Sequence, residues 1–105
     1  MMLLAALLQA AVAPAGPAAP APVLTPEQRY AACTARVRED PVAGEGLAGQ
    51  WRLAGGGFLA RQCAAMSHAA REQWTAAGTA FEEAAREAEV ARDPRAADYW
   101  AQAGN

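Results

Sequence analysis

Gln73-Trp-Thr-Ala-Ala-Gly-Thr-Ala-Phe-Glu-Glu-Ala-Ala-Arg-Glu-Ala88 is the stretch that decides how this chain folds. Within it Trp74, Ala77, Phe81 and Ala84 recur at helical spacing and form one stripe. A helix that buries alanine beside phenylalanine lets a second helix approach closely, so the stripe predicts helices stacked in pairs. It supplies no nucleophile, acid, base or metal ligand, which points to binding or scaffolding and away from an enzyme.

Start and stop signals extend this reading outward. Thr25-Pro26-Glu27-Gln28 has the capping-box pattern and opens a helix from Pro26 to about Glu39, with Tyr30, Cys33 and Val37 on its apolar side. Asp40-Pro41 repeats the start signal for a second helix, whose face is Ala43, Leu47, Trp51 and Ala54. Gly44, Gly46 and Gly49 weaken it by about 0.8 to 1 kcal/mol each relative to alanine, so it forms only when packed. Gly55-Gly56-Gly57 then ends it. A third helix from about Phe58 to Ala70 places Leu59, Cys63, Met66 and Ala70 on one face, and the fourth runs from Trp74 to about Arg92. Asp93-Pro94 opens a fifth helix carrying Tyr99 and Trp100. Trp51, Trp74 and Trp100 read as core anchors. The fold class is therefore all-α, with about five helices in stacked antiparallel hairpins, because short connections make neighbours antiparallel.

Composition bounds the function. The 105 residues leave room for one small domain, and much of the 53% hydrophobic content is alanine, so the core is thin. All nine basic residues are arginine and eleven acids leave a net charge of −2, which excludes a broad basic face for nucleic acid. Met2 to Ala13 is an apolar run well short of the roughly 20 residues that span a bilayer. Pro14-Ala-Gly-Pro-Ala-Ala-Pro-Ala-Pro22 follows it. The pattern predicts a signal peptide over residues 1–15, a disordered Ala/Pro linker over 16–24 and a helical domain over 25–105. An uncleaved anchor is the alternative. The processed chain is expected to be periplasmic or secreted, with no stable membrane insertion after cleavage.

Cys33 and Cys63 form an even pair behind an export signal and are expected to be bridged, with two buried free thiols as the alternative. Closing such a loop contributes about 3 to 4 kcal/mol on chain-entropy grounds. No Cys-x-x-Cys and no second histidine accompany them, so neither a metal nor a cofactor is expected. His68 reads as a packing histidine. An enzyme would need it paired with a carboxylate such as Glu72, four residues on. Glu82, Glu83, Glu87 and Glu89, interleaved with Arg86 and Arg92, read as a solvated face.

Ala77, Phe81 and Ala84, followed by Trp100-Ala-Gln-Ala-Gly-Asn105, resemble the second helix of a tetratricopeptide repeat and the opening Trp-x-x-Leu-Gly-Asn of the next. With Phe58 and Ala97 as openings the period is 39 residues, against about 34 for the family, which lengthens the connection through Ala88 to Arg95. Arg61, His68 and Glu72 stand in the slots for tryptophan, the large aromatic and glycine. A register opening at Trp51 would bury three glycines in a helix at about 3 kcal/mol and is rejected. Tyr30-x-x-Cys33, Asp40-Pro41, Trp51, the glycines and Cys63 are together similar to small exported tetratricopeptide-like proteins of Gram-negative bacteria.

The resemblance implies a superhelical stack, with the first and third helices as parallel neighbours, and a groove for a protein or peptide. Its lining would be Leu59, Gln62, Met66, Ala69 and Ala70, with Asp98, Ala101 and Asn105 in the next hairpin. Carboxylate-clamping members carry lysine where Gln62 and Ala101 stand, so an apolar helix or peptide is the expected ligand. The implied function is a non-enzymatic binding scaffold of the bacterial envelope. The rivals are a fragment of a longer repeat protein and a closed, disulfide-stapled bundle with a structural or inhibitory role. A homodimer through the C-terminal helix, using Tyr99 and Trp100, is a further expectation. Exposure of Leu59 and Met66 separates a groove from a closed bundle.

Overall fold

The computed structural model describes residues 23–105, which form α1 (Pro26–Glu39), α2 (Pro41–Leu53), α3 (Gly57–Ala70), α4 (Trp74–Val90) and α5 (Arg95–Gly104). The expected signal peptide over residues 1–15 and nearly all of the expected linker lie outside the described residues; Val23 and Leu24 are exposed and non-helical. The local start signals act as their chemistry dictates. Thr25 Oγ1 accepts from the Gln28 backbone N–H at 3.1 Å, while the Thr25 N–H donates to Gln28 Oε1 at 2.9 Å. Asp40 Oδ1 accepts from the Ala43 N–H at 3.2 Å and starts α2.

Three of the four connections share one design. Each turns through a left-handed residue two places after the helix end, Gly55 (φ 93°), Glu72 (φ 57°) or Arg92 (φ 55°), and the first adds a second at Gly57 (φ 61°). The next N–H closes back on the helix: Gly56 to Trp51 O at 2.8 Å, Gln73 to His68 O at 2.9 Å and Asp93 to Ala88 O at 2.8 Å. Glycine adopts this conformation freely, whereas a residue with a Cβ is strained there by about 1 kcal/mol. Glu72→Gly is therefore expected to stabilise the protein by about 1 kcal/mol, read as a higher urea midpoint at unchanged m-value.

Consecutive helices pack as antiparallel hairpins. Arg29 lies over the Trp51 ring at 5.5 Å across the α1/α2 pair. Ser67 Oγ donates to Pro41 O at 2.7 Å between α3 and α2. Arg61 joins Glu83 at 2.6 Å and also Glu87 between α3 and α4, and Trp100 Nε1 donates to Glu89 between α5 and α4. The core lies in two clusters. Cys33, Val37, Ala48, Trp51, Leu59, Ala60 and Cys63 make the first. Ala65, Phe81, Ala84, Ala85, Ala88 and Tyr99 make the second, and Phe58 and Met66 pack against both. Ala77, Phe81 and Ala84 are buried, as their spacing implies.

Three expected faces are displaced. In α2 the buried residues are Gly44, Ala48 and Trp51, while Leu47 is exposed. The helix is turned so that Gly44 meets Val37, where a Cβ would stand 2.5 Å from Val37 Cγ2. In α3 burial is two-sided, at Leu59, Ala60, Cys63, Ala65 and Ser67, because α1 and α2 cover one side and α4 the other; Ala70 is exposed. Of the three tryptophans only Trp51 is a core anchor. Trp74 is 66% exposed at the first residue of α4, and Trp100 is also exposed, because Tyr99 takes the inward position in α5.

Candidate functional site

The disulfide fixes the surface that α1 leaves open. Cys33 and Cys63 are bridged, with their Cα atoms 6.3 Å apart, and both side chains are buried. One turn towards the N-terminus of α1, the Tyr30 hydroxyl donates to Met66 Sδ at 3.2 Å, one turn towards the C-terminus of α3. Because α1 and α3 are each antiparallel to α2, they run in the same sense, and the bridge and this hydrogen bond tie them together. On α5, Tyr99 donates its hydroxyl to Gln62 Oε1 at 2.7 Å and packs its ring 6.1 Å from Phe58. Burial raises the pKa of the Tyr30 phenol, and that of Tyr99 is pushed up to about 12 for the same reason.

Packing of α1 and α5 against α3 disperses the residues expected to line one groove. Leu59 is only 6% exposed, in the first core cluster, and offers no surface. Met66 is half-buried against Tyr30. Gln62, Asp98 and Ala101 do come together, with Arg95, Tyr99 and Gln102, around a polar depression of about 320 Å³ between α3 and α5. Its edge is fixed by Arg95, whose side chain and backbone N–H both bond to Asp93. Those hydrogen bonds hold the Asp93 carboxyl down at about 2 and raise the Arg95 pKa. Ala70 lines neither this depression nor the next.

Ala69 and Asn105 belong to a second hollow, of about 240 Å³, bounded by Trp74, Ala77, Gly78, Phe81, Gln102 and Ala103. It lies where the C-terminal half of α5 meets the start of α4, and its walls are mostly alanine, glycine and aromatic carbon. Trp74 stands exposed on its rim. The stripe in the sequence contained this tryptophan but assigned it to the core. The available signal was its place as the first residue after the Arg71–Gln73 turn, before the helix reaches its neighbours.

The remaining polar features are structural couplings. Glu83 and Glu87 clasp Arg61 and are not simply a solvated face. Glu45 pairs with Arg71 at 2.8 Å and lies 3.9 Å from His68 Nε2, whose other ring nitrogen is 3.0 Å from Gln73 Oε1. The carboxylate beside His68 is thus Glu45, and Glu72 occupies the left-handed turn. Among the described residues no three His, Cys, Asp or Glu side chains converge as metal ligands, and no helix is long and apolar enough to cross a membrane.

These features define a disulfide-stapled stack of helical hairpins with an apolar hollow at one end and a polar one on the α3/α5 side. Comparison with protein-family models, curated proteins and solved structures finds no match to this chain.

Proposed function

We propose that this protein is a non-enzymatic binding scaffold of the tetratricopeptide-like kind, acting in the bacterial periplasm on an apolar helix or peptide. The observation that carries the reading is Trp74, two-thirds exposed on the rim of the hollow formed with Ala69, Ala77, Phe81 and Ala103. A large aromatic beside an apolar hollow is the arrangement on which binding energy concentrates, since a partner side chain can be buried without desolvating charge. The disulfide is compatible with an oxidising compartment, and the apolar run Met2 to Ala13 supports export to one.

Panning a random peptide library on the oxidised protein tests this. Enriched peptides should carry an aliphatic or aromatic anchor. Trp74→Ala should weaken their binding by about 30-fold, the scale of a lost aromatic hot spot. Its melting temperature should stay unchanged, because the ring is outside the core. Absence of enriched peptides, or equal binding by the variant, would remove the proposal in favour of a closed structural or inhibitory bundle. That second reading draws on the burial of Leu59 beneath α1.

A further inference from the structure

The outward face of α2 is left uncovered by the fold. Gly44, Ala48 and Trp51 are buried, which puts Val42, Gly46, Gly49 and Leu53 along the opposite side at helical spacing. Val42 is 60% exposed and Leu53 84%. A Cβ at Gly46 or Gly49 would meet no atom within 4 Å, so neither glycine serves packing within the chain, although both weaken the helix.

The spacing is symmetric. Val42 and Leu53, like Gly46 and Gly49, lie at equal distances on either side of a point between Leu47 and Ala48. A second α2 laid antiparallel across that point sets Val42 against Leu53 and Gly46 against Gly49, each contact made twice by the two-fold axis. Closest approach falls at the glycines, and Val42 and Leu53 fill the space where the two axes diverge.

Charge selects the same arrangement. Glu45 and Arg52 flank the face on one side, while Ala43 and Gln50 on the other are uncharged. Arg52 forms no ion pair among the described residues. Glu45 gives Oε2 to Arg71 at 2.8 Å, but its Oε1 has His68 Nε2 3.9 Å away, outside hydrogen-bond reach. Beyond this flank, in the hollow between α2 and α4, Arg61 and Glu83 are paired with each other. In the antiparallel register Arg52 of each copy comes, along the helix axis, within about 3 Å of Glu45 of the other.

We propose that the outward face of α2 is a homodimer interface, on which a second copy of this chain packs antiparallel through Val42, Gly46, Gly49 and Leu53 and exchanges two Glu45–Arg52 pairs. This contact is independent of the Trp74 hollow. One helix pair is a small interface, so the expected dissociation constant is about 10 to 100 µM.

Sedimentation equilibrium of the full-length, disulfide-bonded protein should show a monomer–dimer equilibrium in that range. Gly46→Gln adds bulk to the face while favouring the helix. It should weaken association at least about tenfold without lowering the melting temperature of dilute protein. Arg52→Glu and Glu45→Arg should each weaken association by about fivefold or more, and a mixture of the two should regain the parent affinity, since the mixed dimer restores both opposite-charge contacts. A protein that stays monomeric up to about 1 mM would overturn the proposal. So would a dimer that Gly46→Gln leaves intact, which would place the contact on another face or on the Met2 to Ala13 run. Failure of the charge-swapped mixture to associate would exclude the antiparallel register and overturn it as well.

Discussion

Replacing Cys33 and Cys63 together by alanine is expected to destabilise the protein by about 3 to 4 kcal/mol and to release α1 before the other helices. The bridge spans 30 residues, so its loss restores to the unfolded chain the entropy of an open loop of that length. The domain is small and its second cluster is built largely of alanine, so this loss is a large part of a total of roughly 4 to 12 kcal/mol expected for some 80 residues. Apart from the bridge, α1 is held by few buried side chains, Thr34 and Val37 with half-buried Tyr30. Hydrogen exchange should show the α1 amides losing protection first, while α3 and α4 keep theirs around Phe81 and Ala84. An unchanged urea midpoint after replacement would mean that the core alone holds α1.

The second large effect concerns three glycines that look alike in sequence. Gly44→Ala is expected to cost about 2 kcal/mol even though alanine is the better helix former. Its Cβ would lie 2.5 Å from Val37 Cγ2 and 2.8 Å from the Val37 Cα, a clash in which backbone must move. Gly46→Ala meets nothing within 4 Å, nor does Gly49→Ala. Each of these should stabilise by about 0.8 to 1 kcal/mol through helix propensity alone. Thermal denaturation of the three single variants should therefore give shifts of opposite sign within one helix. A common sign would contradict the close α1/α2 approach.

This contrast shows where sequence was sufficient. Thr25, Asp40 and Gly55 mark helix boundaries through bonds to atoms a few residues away, so their reading needs no tertiary information. The face of α2 is set by Val37 on another helix, and spacing alone placed Leu47 and Ala43 where Gly44 and Ala48 belong. The central α3 is covered on two sides, so a one-face pattern captured Leu59 and Cys63 but missed Ala60, Ala65 and Ser67. The binding residues inferred from family resemblance assumed one open groove along the first helices of successive hairpins. Leu59 is instead buried in the first cluster and Met66 is partly covered by Tyr30, while Gln62, Asp98 and Ala101 stay together and Ala69 and Asn105 line a separate hollow. Trp74 had the right spacing for the core, but its position at the very start of α4 leaves it outside.

The Cys33–Cys63 link also defines the mechanical route through the molecule. Tension applied to both sides of the ring passes from α1 directly into α3 through the two sulfurs and bypasses α2 altogether. The segment between the cysteines is therefore shielded from extension, and a protease that cuts within it leaves one covalent molecule instead of two. Loads and cuts fall instead on α4 and α5, which lie outside the ring, so the helices that carry the Trp74 hollow are the part of the fold that can be pulled away while α1 stays fastened to α3.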